Sequence, residues 1–193
     1  KEGEEKEILL ELKLLADVGI IGYPNVGKSS FITCISNAKS KVADYSFTTK
    51  SPILGVVKFY GSGEFVVADI PGLIEGSHSG KGLGHEFLRH IERTNLLVHI
   101  IDMSTFSGRD PVSDLYSINK ELGLYERLLM KKTQILAANK MDLEGSKENL
   151  DRFKAKIKKQ IFPISCKTKE GINDLLKAIF LKLTGHHKSA ALD

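Results

Sequence analysis

The feature that most constrains the fold is a glycine-rich stretch that follows a strongly apolar one. Two glycines separated by four residues precede a lysine and a serine, in the order Gly22-Tyr23-Pro24-Asn25-Val26-Gly27-Lys28-Ser29. The residues before it, ending in Val18-Gly19-Ile20-Ile21, are typical of a strand buried on both faces, and we predict a short helix over Ser30 to Ser36. A buried strand, a glycine-rich turn and a helix in this order predict a phosphate-binding loop, or P-loop.

The residue types in this loop suit a polyphosphate ligand. Glycines let the backbone curve around a phosphate chain with its N–H groups pointing inward, and the N-terminus of the helix adds a positive dipole. We expect Lys28 to reach the β and γ phosphates and the hydroxyl of Ser29 to bind Mg2+, with Ser30 beside the same ligand. The alternative, a glycine turn without a ligand, is disfavoured by the flanking strand and helix.

A second motif, Asp69-Ile70-Pro71-Gly72, stands at the end of a predicted strand. Asp69 can hold Mg2+ through a water molecule, and the N–H of Gly72 can turn toward a γ-phosphate. By itself the pattern is more typical of an ordinary turn. It becomes a candidate for nucleotide and metal binding because it follows the P-loop.

A third motif, Asn139-Lys140-Met141-Asp142, follows another apolar strand. The carboxylate of Asp142 can accept hydrogen bonds from both N1–H and the N2 amine of guanine, whereas adenine has no such pair of donors. The motif therefore predicts GTP rather than ATP, and the alternative is a polar loop in which Asp142 caps a helix. After the last predicted strand, backbone and stacking contacts of a further segment are expected to complete the base pocket: Ser165-Cys166-Lys167.

The loop between the P-loop helix and the second motif must supply another hydroxyl for Mg2+. Thr48 and Thr49 are the candidates, and we choose Thr49 as the metal ligand. The alternative is that both threonines are polar loop residues without a ligand. Leu73 directly follows Gly72, where Ras-like enzymes place a glutamine that orients the attacking water, and a leucine side chain cannot form that hydrogen bond.

The remaining apolar segments indicate the architecture. Two strands joined by Gly61-Ser62-Gly63 predict one antiparallel pair, after which strands and helices alternate. The predicted elements are further strands over 53–60, 64–70, 96–103, 133–138 and 161–165, and helices over 84–94, 111–131, 147–159 and from 172 onward. With the first strand, these elements predict an α/β three-layer P-loop NTPase fold whose six-stranded sheet is mostly parallel with one antiparallel strand.

Composition excludes several classes of protein. No apolar segment approaches the roughly 20 residues of a membrane-spanning helix, so we expect no membrane span and a cytoplasmic protein. Cys34 and Cys166 lack the spacing of metal ligands, so neither a zinc site nor a disulfide framework is expected. A formal net charge of +4 would tolerate an RNA partner without requiring one, and no feature indicates DNA binding. His99 is expected to be a packing or surface residue, and the chain to be a monomer.

Over about Leu9 to Leu183 the sequence strongly resembles the G domain of the Obg family of bacterial GTPases. The resemblance is carried by segments 12–19, 41–45, 47–49 and 80–94, and above all by the stretch Asp69-Ile70-Pro71-Gly72-Leu73-Ile74-Glu75-Gly76. It implies a Ras-like G domain at residues 9–184, preceded at 1–8 by a linker from a missing N-terminal domain and followed at 185–193 by a disordered tail.

The resemblance also implies a function. It implies slow GTP hydrolysis with Mg2+, weak nucleotide binding with spontaneous exchange, and a role in assembling the large ribosomal subunit from rRNA and ribosomal proteins. Phe47 would lie with Thr48 and Thr49 at the nucleotide. Asn25 matches an asparagine that, in related GTPases with a hydrophobic residue at the position of Leu73, helps to hold K+ beside the phosphates in place of an arginine finger. Lys28, Asn25, Thr49 and Gly72 are therefore the residues expected to serve catalysis.

Three residues depart from the family pattern. Ser46 replaces a proline, Lys50 replaces an apolar residue, and Cys166 replaces an alanine of the base-binding loop, where the backbone is expected to make the contact. The alternative function is a nucleotide-gated binding module that senses GDP and GTP and whose turnover is incidental. An ATPase with the same fold is disfavoured by Asp142.

Overall fold

The computed structural model describes residues 16–36, 41–42, 53–59, 63–70, 94–125 and 132–189. Its strands are β1 (Val18–Ile21), β2 (Lys41–Val42), β3 (Ile53–Phe59), β4 (Gly63–Asp69), β5 (Leu96–Asp102), β6 (Gln134–Asn139) and β7 (Ile161–Pro163). Its helices are α1 (Lys28–Ile35), α2 (Pro111–Tyr125), α3 (Ser146–Lys156) and α4 (Ile172–Ser189), with a short 3-10 helix at Thr105–Ser107.

The strands form one sheet in the order β2-β3-β4-β1-β5-β6-β7. β1 pairs in parallel with β4 and β5, and the parallel pairing continues through β6 to β7. β3 runs antiparallel to β4, as the glycine-rich connection between them predicts. The mostly parallel sheet with one antiparallel strand is thus confirmed, and the two-residue β2 adds a short edge pair within a segment that the sequence indicated only as a loop.

The central strands are buried because they carry almost no polar side chain on either face. All four residues of β1 and all seven of β5 are buried, which is what parallel strands covered by helices on both sides require. Ile100 and Ile101 are neighbours in β5, so their side chains point to opposite faces of the sheet, and they belong to two different core clusters. The sheet is therefore the middle layer of three.

Helices cover both faces. The cluster that contains Ile100 includes Phe31 and Ile32 of α1 and several residues of α4, among them Leu175 and Ile179. The cluster that contains Ile101 joins Val112 and Leu115 of α2 to Leu150 and Phe153 of α3. The regular apolar spacing of α4 predicted this inward face from the sequence.

Helix boundaries differ from the predicted ones by a few residues. α1 begins at Lys28, two residues before the predicted start, because the helix starts inside the P-loop itself. α4 extends to Ser189, past the domain end predicted at residue 184. Nearly all of the helix predicted at 84–94 lies outside the described residues. In the part of the chain that the structure describes, no helix combines the length and the apolar character needed to cross a membrane.

This topology brings the candidate motifs to one edge. The P-loop follows β1, Asp69 ends β4, Asn139 ends β6, and Ser165 comes shortly after β7. These strands are parallel, so their carboxyl ends share the same edge of the sheet, where open α/β sheets bind their ligands. Motifs that are more than 100 residues apart in sequence can therefore form one site.

Candidate nucleotide-binding site

The P-loop adopts a backbone path that only glycine allows at two of its positions. Gly22 and Gly27 have φ angles of 150° and 103°. A Cβ atom on Gly22 would lie 2.4 Å from the carbonyl oxygen of Ile100, and one on Gly27 would lie 2.4 Å from Nδ2 of Asn139. Asn25, between them, is exposed and has a φ of 64°, a left-handed conformation that asparagine tolerates better than most residues. The glycines are thus required by close packing as well as by conformation.

Lys28 lies across the mouth of this loop. Its Nζ donates hydrogen bonds of 3.1 Å to the carbonyl oxygens of Gly22 and Tyr23. Burial lowers the pKa of Lys28, and the negative charge of Asp69 opposes that effect. The ammonium group is therefore half-buried among acceptors that are mostly uncharged. A polyphosphate anion bound beside it would stabilise its positive charge.

Ser29 and Asp69 form the part of the site suited to a metal ion. The hydroxyl of Ser29 donates a 2.9 Å hydrogen bond to Oδ2 of Asp69. Burial raises the pKa of Asp69, whereas the Lys28 charge and the Ser29 hydrogen bond act in the opposite direction. Within the described residues, the buried Oδ1 of Asp69 has no hydrogen-bond partner. A hydroxyl oxygen and an unsatisfied carboxylate oxygen side by side fit Mg2+, which prefers oxygen ligands and retains several water molecules.

Asn139 connects the P-loop to the loop that follows β7. Its Nδ2 donates a 2.8 Å hydrogen bond to the carbonyl oxygen of Val26 in the P-loop. Its Oδ1 accepts a 3.2 Å hydrogen bond from the backbone N–H of Cys166. The side chain is almost fully buried, so one amide group holds together the loops that follow β1, β6 and β7.

Asp142, the residue predicted to recognise the base, is anchored by a hydrogen bond from the loop after β7. It is exposed, and its Oδ1 accepts a 2.7 Å hydrogen bond from the hydroxyl of Ser165. The Ser165 oxygen is buried and in turn accepts a 3.0 Å hydrogen bond from the N–H of Thr168. The carboxylate is thus fixed at an open surface, where it can accept two hydrogen bonds from the edge of a guanine.

An acidic residue that the sequence analysis missed supports the third motif. Lys140 has a φ of 67°, and its Nζ lies 2.7 Å from Oδ2 of Asp102 at the end of β5. The other oxygen of Asp102 accepts a 2.8 Å hydrogen bond from the N–H of Ser104. The sequence signal for this contact is the single carboxylate at the end of a mostly apolar strand, because a carboxylate buried there requires a partner.

A cavity of about 570 Å³ lies beside the loops and is lined by Ser29, Ser30, Thr33, Cys34, Cys166 and Lys169. It connects the predicted metal ligand Ser29 with Cys166 of the base loop. Burial raises the pKa of Cys166 to about 12, so its thiol is protonated at neutral pH, and it contributes to the site through its backbone N–H. The next residue, Lys167, is exposed.

The structure brings most of the predicted site together, and several residues fall outside its described part. The hydroxyl of Ser29 is hydrogen-bonded to Asp69, whose charge acts on Lys28. Asn139 and Asp142 are joined to the same edge by hydrogen bonds with Val26 and Ser165. Ile70 is buried in the main core, so any contact of this residue with a ligand must come from its backbone. The predicted site residues outside the described ranges are Phe47, Thr48, Thr49, Pro71 and Gly72, with Leu73 beside them.

Comparison with known proteins agrees with this geometry. Residues 17–140 match the family described as 50S ribosome-binding GTPase. The GTPase Obg of Halalkalibacterium halodurans is 54% identical over 179 residues, which are 92% of this chain and 42% of that protein. The GTPase Obg of Geobacillus kaustophilus is 55% identical over 179 residues, covering 92% of this chain and 41% of the relative. The chain therefore spans less than half the length of these curated relatives.

Solved structures support the fold. The G domain of the FeoB iron transporter of T. maritima superposes with a TM-score of 0.64 at 24% identity, covering 86% of this chain and 97% of that one. Nucleolar GTP-binding protein 1 of Plasmodium falciparum gives a TM-score of 0.64 at 21% identity over 91% of this chain and 89% of its own. With the P-loop, the base-reading motif and the family match in agreement, the chain belongs to the 50S ribosome-binding GTPases, as a GTPase domain of the Obg family.

Proposed function

We propose that this GTPase domain is a slow, Mg2+-dependent molecular switch that K+ stimulates and that acts in the assembly of the large ribosomal subunit. The observation that carries the metal part of the proposal is the pair formed by Ser29 and Asp69, with one carboxylate oxygen buried and unpaired within the described residues. The family description carries the ribosomal part. Such a role would place the protein in the cytoplasm, where GTP and ribosomal particles meet, and does not require a second copy of the chain.

The residues of the P-loop would stabilise the negative charge of the phosphates during hydrolysis. Lys28, half-buried and held by the carbonyl groups of Gly22 and Tyr23, would exchange these neutral acceptors for phosphate oxygens and stabilise the charge that develops on the transferred group. Ser29 and Asp69 would hold Mg2+, which would supply positive charge to neutralise that of the phosphates. The hydroxyl of Thr49 is proposed to be a further Mg2+ ligand, and the N–H of Gly72 is proposed to turn toward the γ-phosphate.

Slow turnover is proposed because the position after Gly72 carries Leu73. A leucine cannot orient an attacking water, so the chain lacks the side chain that Ras-like enzymes use for this step. Asn25 at the exposed tip of the P-loop offers an amide oxygen for K+, whose charge would act near the phosphates.

The test of the ion is GTP turnover in matched K+ and Na+ buffers. We expect faster hydrolysis in K+, and we expect Asn25→Ala to remove the difference while GDP binding is retained. An Asn25→Ala variant that keeps its full response to K+ would exclude Asn25 as the ligand.

The test of the ribosomal role is turnover with and without large ribosomal subunits, using Lys28→Ala as the control for contaminating GTPases. Stimulation by large but not small subunits is the expected result. If neither K+ nor ribosomal particles change the rate, the switch assignment fails and a nucleotide-gated binding module with incidental turnover becomes the better description.

A further inference from the structure

Arg109, which no motif of the nucleotide site includes, reaches from the start of α2 to the P-loop. Its Nε lies 3.1 Å from Oδ2 of Asp114. Its guanidinium carbon lies 4.6 Å from the centre of the Tyr23 ring, within the range of a cation–π contact. Its Nη2 also donates a long, 3.5 Å hydrogen bond to the carbonyl oxygen of Pro24, a residue 85 positions away in sequence.

The ion-pair partner of Arg109 is the buried carboxylate of Asp114. Asp114 lies in the first turn of α2 and is buried, with only 7% of its surface exposed. Burial raises the pKa of Asp114, whereas the charge and the hydrogen bond of Arg109 oppose that rise. The guanidinium thus stabilises a buried carboxylate that also feels the negative charges of Asp102 and Asp110, and the carboxylate in turn holds Arg109 in place.

The two P-loop residues that Arg109 contacts, Tyr23 and Pro24, form one arm of that loop. Tyr23 supplies one of the two carbonyl oxygens that hold Nζ of Lys28, and Pro24 directly precedes the left-handed Asn25. Displacement of this arm would move both the lysine that contacts the phosphates and the asparagine proposed to bind K+. A shift of about 1 Å in such groups can reduce the rate of a chemical step roughly 100-fold.

We propose that Arg109 is a positioning residue for GTP hydrolysis, which acts by holding the Tyr23–Pro24 arm of the P-loop against the start of α2. The inference rests on the GTPase activity of the family. Arg109 acts through the loop, so it should affect the hydrolysis step more than the affinity for GDP. Its planar guanidinium forms an ion pair with Asp114 and stacks on Tyr23 at the same time, a combination that the single ammonium group of lysine cannot reproduce.

The decisive comparison is between Arg109→Lys, Arg109→Ala and a matched control, Arg152→Ala. Arg152 is also an arginine paired with an aspartate, at 3.1 Å from Asp110, but its side chain is 65% exposed and its partner is not one of the predicted site residues. Single-turnover hydrolysis of GTP, GDP affinity and thermal unfolding are measured for each variant.

We expect Arg109→Lys to unfold close to the wild-type temperature, because lysine still pairs with Asp114, but to hydrolyse bound GTP between about tenfold and about 100-fold more slowly. GDP affinity should change less than about threefold, and Arg152→Ala should match the wild type in all three measurements. Arg109→Ala should lower both the unfolding temperature and the rate, since it leaves the buried carboxylate of Asp114 without its cation.

Two results would overturn the proposal. A wild-type hydrolysis rate in Arg109→Lys would show that the planar guanidinium is unnecessary. A hydrolysis rate that falls only in step with the unfolding temperature across the variants would show a purely structural role. A double variant, Arg109→Lys with Tyr23→Leu, adds an independent check, because two residues that act through one contact should lose less together than the product of their separate effects. If the wild-type domain itself does not hydrolyse GTP, the failure belongs to the assigned activity rather than to Arg109.

Discussion

At the scale of single residues, the site depends on polar side chains whose partners are distant in sequence. Lys28, Ser29, Asp69, Asn139 and Asp142 were predictable because each stands at a fixed place in a short motif that follows an apolar strand. Arg109, Asp102 and Asp114 were not, because their contacts depend on the path of the loop after β5, which no local pattern encodes. The sequence therefore identifies residues proposed to contact the ligand more readily than it identifies the charged residues around them.

Asp142→Asn should change the base that the site prefers. The variant can still accept the hydrogen bond from Ser165, but its amide would meet the donors of guanine with a donor of its own. Loss of two hydrogen bonds, at about 1.4 kcal/mol each, predicts roughly 100-fold weaker GDP binding, with xanthine nucleotides gaining in comparison.

Competition between GDP and XDP for a fluorescent nucleotide measures this change. Asp151→Asn, which removes an exposed carboxylate from α3, is the matched control and should keep the wild-type preference. Retained preference for GDP in Asp142→Asn would exclude this residue as the reader of the base.

His99 should make the stability of the domain sensitive to acid. It is buried in β5 between Ile21 and Leu136, and burial, with smaller effects of the Lys159 and Lys28 charges, lowers its pKa to about 3. A histidine in the unfolded chain titrates near about 6.5, so between these two values the unfolded state binds more protons and stability falls as the pH drops. Above about pH 6.5 the contribution is constant.

Urea unfolding of the wild type and of His99→Leu at pH 7.5 and pH 5 measures this effect. The leucine is of similar size and does not titrate, so the wild type should lose about 2 kcal/mol more than the variant over this interval. Equal losses in the two proteins would contradict the neutral, buried state of His99.

At the scale of helices and strands, apolar patterning predicted the longer elements that the structure describes, but neither the two-residue β2 nor the residues at which the elements end. β1 and β5 are buried along their whole length, and their nearly uninterrupted apolar sequences indicated this directly. α1 begins earlier than predicted because its N-cap is Gly27, which has no side chain to form a cap hydrogen bond. A glycine is required at this position because the backbone passes very close to Asn139. Backbone crowding between loops is a tertiary effect, so it leaves little trace in a local pattern.

Asn139→Ala should loosen the connection between the loops after β1, β6 and β7. It leaves the carbonyl of Val26 and the N–H of Cys166 without their partner, so we expect a loss of about 1–3 kcal/mol in the free energy of unfolding. Because the two halves of the site would then move apart more easily, fluorescent GDP should dissociate faster.

The matched control is Asn149→Ala, in which the lost hydrogen bond is to the carbonyl of Met103 rather than to the loops of the site. This control should lose stability without a change in the rate of GDP dissociation. A dissociation rate for Asn139→Ala that equals that of the control would show that the loops do not depend on this amide.

At the scale of the whole molecule, the order of strands determines which loops lie side by side. β1 lies between β4 and β5, so the P-loop emerges beside Asp69 on one side and beside the loops of β5 and β6 on the other. The alternation of strands and helices predicted this parallel arrangement. The sequence could not give the distances within the site, because they depend on how all the loops of one edge pack together.

Nucleotide binding should therefore stabilise the domain as a unit. At a GDP concentration of about 100 times Kd, with Mg2+, the gain is about 2.7 kcal/mol, which corresponds to an increase in Tm of roughly 5–10 °C for a domain of this size. Differential scanning fluorimetry with GDP, GTP and ATP measures it. ATP should produce no comparable increase, and removal of Mg2+ with EDTA should reduce the effect of GTP; equal shifts with ATP would contradict guanine specificity.

The missing side chain at Gly27 has a consequence for both halves of the pocket. Its α-carbon faces the amide of Asn139 so closely that a single added carbon would act as a wedge, driven into the amide that also connects the loop of Cys166. A substitution in the loop proposed to bind phosphate would thus affect the loop proposed to recognise the purine. A side chain at position 27 would therefore change the affinity for both ends of the nucleotide together, because the close approach of Gly27 to Asn139 links the two loops.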